Sequence, residues 1–262
     1  LTSLPPSIRQ INGLPPPQRE ALYQQLIPPW VYENYRIDPV TLLQDGQPVV
    51  RFRCPDDSRS VEITIRHHPH ELDPLVYLHM IDTFNNQIMV LLLVVNDPAS
   101  PRFNTDVDLE GHPTQFGTSS RNLPEELRAM QAGLSPGQVR RGLRSFRSAV
   151  TIFEDFVSRM GHQLYMIEPL AYHNAIIFER YGFAYTHGQR EMIQIHAQFQ
   201  DGGHFHRLLG TNPFRSPEAV HSVRARAWAI HDGILGHPFT GFQMYKRVGH
   251  HAGVNTFPES LW

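Results

Sequence analysis

Cysteine is nearly absent from this chain. Cys54 is the only one among 262 residues, which excludes an internal disulfide and any cysteine-based zinc site and fits a reducing compartment. Long apolar runs are also missing. The longest, Ile88-Met89-Val90-Leu91-Leu92-Leu93-Val94-Val95, has the length of a strand, well short of the roughly 18–20 residues a membrane span needs. Proline-rich turns occupy the N-terminal stretch where a secretory signal would place its apolar core, so the expected location is cytoplasmic, with no membrane partner. Net charge is slight, −2, so charge predicts no general affinity for nucleic acid. No Gly-x-Ser-x-Gly elbow, P-loop or His-Glu-x-x-His motif occurs.

Histidine is plentiful instead. Sixteen histidines, fully protonated, would take the charge from −2 to +14, so solubility and association are expected to depend on pH near 6. Three clusters offer metal ligands: His67-His68-His70, His204-His206, and His231-Asp232 with His237. In a strand, His204 and His206 would share a side, as two ligands require. A His-ligated metalloenzyme is therefore one reading, and surface histidines without metal the other.

Residues 1–50 read as an N-terminal extension, with a helix over 18–26 after the prolines and a short strand over 49–53. Val61, Ile63 and Ile65 alternate with polar residues as a half-buried strand does. Residues 75–83 and 87–96 form two more strands around an Asn85-Asn86 turn, the second apolar on both faces and so central. Residues 97–115 read as a long loop, and 123–132 as a helix closed by Gly133. Leu143, Phe146, Val150, Phe153, Val157 and Met160 recur at helical spacing up to Gly161. Ser135-Pro136-Gly137-Gln138 matches a capping box with proline at the first helical position, which predicts that this helix starts there and encloses Gly142. Residues 190–199 resemble a strand, 217–230 a helix, and 241–248 a final strand.

The most informative stretch is Tyr172 to Tyr185. Asn174 suits an N-cap, Gly182 suits the left-handed position that ends a helix, and Phe183 is placed to fold back onto the last turn. A buried strand, Gln163 to Leu170, precedes it. Strand, short helix, Gly-Phe and strand in that order resemble the C-terminal half of the GNAT acyl-CoA N-acyltransferase superfamily, over roughly residues 61–97 and 134–248.

That resemblance implies an α/β fold: a mixed, largely antiparallel sheet flanked by helices, with an N-terminal extension and an insertion before the last strand. The domain would span 51–248, with insertions near 98–133 and 200–238 and a tail over 249–262. It implies acetyl-CoA or another acyl-CoA as co-substrate and a small-molecule or peptide amine as acceptor, and it admits a homodimer. The family's pyrophosphate loop falls on Val139-Arg140-Arg141-Gly142-Leu143-Arg144, where Gly142 matches the first glycine and Arg144 replaces the second small residue. Arg140, Arg141, Gly142, Leu143, Arg144 and Asn174 are the expected cofactor contacts. Phe178 occupies the place of the family's usual tyrosine acid, leaving Tyr172 and Tyr181 as candidates, with Asp97 as candidate base. His79 and Asp82 are alternative bases. Because Phe178 cannot donate a proton and the loop is altered, a GNAT-like binding module without catalysis is the competing reading.

Overall fold

The computed structural model describes residues 3–114, 120–143 and 145–262. It is α/β, with a mixed, largely antiparallel sheet and flanking helices. The chain forms two compact units, each assembled from separate segments. The first comprises Leu1–Ala99, Gly142–Glu168 and Tyr245–His250, the second Ser100–Arg141, Pro169–Met244 and His251–Trp262. No helix among the described residues is long and apolar enough to cross a membrane.

The first unit opens with helices α1 (Ile8–Asn12), α2 (Pro16–Gln24) and α3 (Pro29–Tyr35) and a two-stranded ribbon, β1 (Leu43–Gln44) with β2 (Gln47–Pro48). Strands β3 (Val50–Arg53), β4 (Ser60–Ile65), β5 (Val76–Asp82) and β6 (Ile88–Val95) follow as an antiparallel meander. Val61, Ile63 and Ile65 alternate into the core as their period predicts. Helix α1 is docked on this meander. The Asp82 carboxylate accepts the Ile8 and Arg9 amides at 2.9 and 2.8 Å, satisfying donors that a helix start leaves open. Asn12 of α1 donates to the Ser58 and Ser60 carbonyls.

Helix α5 (Phe146–Arg159) buries Phe153, Phe156 and Val157, and Phe153 meets Tyr165 of β7 (Leu164–Ile167) edge to face at 4.8 Å. The final strand, β9 (Gln243–Arg247), follows β7 in the sheet order, and its Lys246 ammonium lies 2.9 Å from Glu154.

The second unit holds α4 (Leu123–Gln131), α6 (Tyr172–Arg180), β8 (Ala184–His187), α7 (Gln189–Phe199), α8 (His204–Arg207) and α9 (Val223–His231). Here β8 lies beside the first residue of β9, Thr186 Oγ1 donating to the Gln243 carbonyl. Phe103, Ala129, Leu134, Phe214 and Trp228 form its core, and the Trp228 indole donates to Leu134 O at 2.9 Å. Helix α6 ends in a Schellman motif. Gly182 takes φ +83°, its amide donates to Glu179 O and the Phe183 amide to Phe178 O, and the Phe178 and Phe183 rings meet at 5.2 Å. An added Cβ at Gly182 would stand 2.7 Å from the His251 Cα, so the tail itself requires glycine there. That tail is docked: Thr256 donates through its amide and hydroxyl to the buried Glu179 carboxylate at 2.8 and 2.7 Å.

Four sequence expectations are corrected. Residues 189–199 are helix α7 and not a strand, with Met192, Ile195 and Phe199 buried at helical spacing. The helix expected over 217–230 breaks at His221 into a 3₁₀ turn, and Ser222 then caps α9 by accepting from Ala225 N. Asn174 is not the N-cap of α6; Ala171 is, its carbonyl accepting the Asn174 and Ala175 amides. Helix α5 starts at Phe146 and not at Pro136. Gln138 does accept from Ser135 N at 2.7 Å, as a capping box requires, but Gly137 at φ +76° turns the chain out of the helix.

Candidate functional site

Strand β6 has two different edges. Along β5 it is paired from end to end, with one irregularity: His79 faces Leu92 and Met80 faces Val90, so Leu91 is an extra residue, a β-bulge. Along β7, parallel pairing is confined to Met89 with Met166 and Val90 with Ile167. Beyond Val90, β7 has ended and β6 continues. Burial changes at the same point: Ile88, Met89 and Val90 are buried, while Leu91 to Val95 are only partly so.

The direction of the edge beyond β7 follows from register. The Asn96 amide donates to Leu75 O, so Leu92, Val94 and Asn96 turn their backbone groups toward β5. Leu93 and Val95 therefore turn theirs to the opposite edge, beyond the end of β7. The Val95 carbonyl is indeed directed there, 3.3 Å from the position a Cβ on Gly142 would take. Gly142 thus brings its backbone against β6, a close approach that a larger residue would hinder. It lies ahead of α5, outside the helix, so its amide is not committed to helical bonding. Ser145, the N-cap, makes no side-chain capping bond.

An amide edge of this kind can donate to a carbonyl oxygen that gains negative charge, and an uncapped start of a 14-residue helix favours an anion. Trp30 and Tyr35 of α3 border the same region of the first unit. The Trp30 indole reaches Ser148 Oγ at 3.4 Å, and the rings stand edge to face at 6.4 Å. Burial raises the Tyr35 phenol pKa, and the negative charge of Asp97 raises it further. Asp97 follows the end of β6 and accepts from Ala99 N at 2.9 Å. Of the alternative bases, Asp82 is committed to α1, and His79 Nε2 lies 2.9 Å from Ser60 Oγ.

The other expected contacts lie as follows. Leu143 is half-buried, and Arg144 is outside the described residues. In the second unit Arg140 donates to Ser100 O at 2.7 Å, and the Arg141 amide to Ser100 Oγ at 3.1 Å. Asn174 is half-buried in the first turn of α6. Tyr181 is its half-buried C-cap.

Tyr172 has a different role from the expected acid. It is buried and accepts from Arg226 NH1 at 3.2 Å, and burial, partly offset by that cation, pushes its phenol up to about 12. Arg226 is itself wholly buried. Its Nε donates to Ala219 O, NH2 to Val220 O, and NH1 also meets His196 Nδ1 at 3.1 Å. The guanidinium carbon stands 3.4, 4.7 and 5.9 Å from the ring centres of Phe257, Phe199 and Tyr172. Tyr172 is thus one wall of a cation cage. Nothing local in the sequence around Arg226 marks this cage, because its walls come from four separate segments.

Two of the three histidine clusters do not present converging free ligands. His204 and His206 lie on helix α8, where residues two apart diverge by about 200°. His231 Nε2 is 3.0 Å from the Glu126 carboxylate, which also accepts from Arg121 Nε at 2.8 Å. Asp232 accepts from Arg121 and Arg215 at 2.8 and 2.7 Å. The ligand-rich group found among the described residues is another one, Asp108, Glu110 and His112, in the loop before α4.

Comparison with protein-family models, with curated proteins and with solved structures finds no match to this chain.

Proposed function

We propose that this chain is a divergent member of the GNAT superfamily and an acyl-CoA-dependent N-acyltransferase. The observation that carries the reading is the edge of β6: a bulge at Leu91, a parallel neighbour that stops at Val90, and backbone groups of Leu93 and Val95 turned to the vacated side. Two further features support it. Gly142 approaches that strand just before an uncapped long helix. The last strand, β9, has β7 as a neighbour in the first unit and β8 in the second, so it enters the sheet between strands that precede it.

In this reading the acceptor nitrogen attacks the thioester carbonyl directly. A carbon–nitrogen bond forms, the carbon–sulfur bond breaks, and CoA leaves as the thiolate. The Leu93 amide stabilises the oxyanion, and Asp97 takes the proton from the amine. The phosphates of the acyl-CoA are bound near Gly142 and the first amides of α5.

Calorimetry with acetyl-CoA and longer acyl-CoAs tests this. Saturable binding is expected. No heat at millimolar ligand refutes the reading. Asp97→Asn is expected to lower turnover with an amine acceptor while leaving acyl-CoA affinity unchanged.

Phe178 favours a second reading, a GNAT-like module that binds without catalysis, since a phenylalanine cannot protonate a leaving thiolate. Acyl-CoA binding with no transfer across an amine screen would select it.

A further inference from the structure

Among the described residues of the second unit, two side-chain polar atoms are buried without a hydrogen-bond partner: Nδ1 of His173 and Nε of Arg224. Native interiors rarely leave such atoms unpaired, and an orphan can mark the place of an ion. His173, in the first turn of α6, is 4% exposed. Arg224 and His231 stand seven residues apart on α9, hence on one face of it, and α9 packs against α6, which carries His173. His231 is engaged by Glu126.

Arg224 has a second cation beside it. Its NH1 lies 3.5 Å from where a Cβ on Gly133 would be, and Arg141 NH2 donates to the adjacent Ala132 carbonyl at 2.8 Å. Two guanidiniums therefore meet at the turn that closes α4. Among the described residues, the one charge found acting on Arg224 is the positive charge of Arg141. The first-turn amides of α6 are directed to the same end of the helix as His173, and Ala171 has no side-chain oxygen to cap them.

We infer that Arg141, Arg224 and His173 form a phosphate-binding site. Two guanidinium forks without a carboxylate match a dianion, whereas a carboxylate would neutralise only one of them. The unpaired imidazole nitrogen supplies a further contact to one of the oxygens. His173 is held neutral, its pKa pushed down to about 3 by burial and then by Arg224 and His231, and an anion alongside would raise it. The inference goes beyond acyl transfer. The site lies in the second unit and the acyl-CoA site in the first, and a chain that binds phosphate but no acyl-CoA would refute the transferase and leave this site standing.

The test is a titration with inorganic phosphate followed through the imidazole NMR signals, with the His173 resonance identified by its loss in His173→Asn. A saturable shift of that resonance is expected with phosphate and not with acetate. Arg224→Gln and Arg141→Gln should each weaken the response by about tenfold or more, the scale of a charge-assisted hydrogen bond. Arg141 is exposed, so Arg141→Gln keeps the test valid should the Arg224 variant misfold. No saturable shift with phosphate, an equal response to acetate, or unchanged affinity in Arg141→Gln would each overturn the site. Competition by acyl-CoA would assign the phosphate to that ligand; its absence would assign it to a free phosphate or a phosphate monoester.

Discussion

Arg224 and Arg226 stand two residues apart on α9, on opposite faces, and their charges are handled in opposite ways. Arg226 is buried completely, yet its donors reach two backbone carbonyls, a phenol and an imidazole, and aromatic rings surround its plane. Arg224 is only half-buried, yet its Nε is unpaired and its charged neighbour is another arginine. Depth does not separate the two; satisfaction does. A buried cation with every donor placed is a packing element, and a shallower one without partners is a site in search of a ligand.

The largest effect expected is from Arg226→Ala. It strands the Ala219 and Val220 carbonyls and opens a cavity among Phe199, Phe257 and Tyr172, at a cost of about 4 kcal/mol in denaturant unfolding. A loss under about 1 kcal/mol would mean that the cage does not hold the unit together.

Glu126→Gln comes next, at about 3 kcal/mol, because it removes the buried carboxylate that Arg121 and His231 share and leaves Arg121 with Asp232 alone. Burial pushes the Glu126 carboxyl up, but hydrogen bonds from His231 and Arg121 outweigh it, and the pKa lies below its ordinary value. This contribution is thus present above the unfolded carboxyl's pKa and is lost as pH falls through the lowered folded value.

His173 supplies the third test. Its folded pKa, about 3, lies below its ordinary 6.5, so between those values the unfolded chain binds the extra proton. The stability is complete above pH 6.5 and declines as pH falls toward 3, by roughly 2 kcal/mol once local opening lets water reach the ring. His173→Asn should flatten that part of a pH–stability curve, and bound phosphate, by raising the folded pKa, should narrow the window from its lower end and reduce the loss.

Arg224→Met is expected to change least, within about 0.5 kcal/mol of the parent or slightly above it, since the apolar stem is kept and an unpaired charge removed. A loss near that of Arg226→Ala would erase the distinction drawn between the two arginines.

Much of the fold was legible. Alternation marked β4, a continuous apolar run marked β6, and Gly182-Phe183 marked the Schellman turn, because each rests on neighbours within a few residues. The start of α5 was misread for a comparable reason. The Ser135–Gln138 bond forms as the motif predicts, and only the left-handed turn at Gly137 diverts the chain. Helix α7 was misread because Met192, Ile195 and Phe199 are interleaved with Ile193, which is exposed. Of the site in the first unit, Gly142 and Asp97 were visible in the sequence, while the bulge at Leu91 was not, since it exists only in the register with β5. Arg226 and His173 carried no local signal at all. The rings around Arg226, those of Phe257, Phe199 and Tyr172, come from distant parts of the chain, and His173 and Arg224 lie on different helices.

The way each unit is closed has a consequence for synthesis. The first needs Tyr245 to His250, including Lys246 beside Glu154, and the second needs Thr256 on Glu179 and Phe257 on Arg226. A ribosome delivers these segments after the rest of each unit, so neither unit can finish folding before residues 245–257 have been made. Arg226 and Glu179 must wait in water until Thr256 and Phe257 arrive. Fragments ending before residue 245 are therefore expected to be degraded or to need a chaperone, and cutting the gene at an apparent domain boundary will not yield either unit alone.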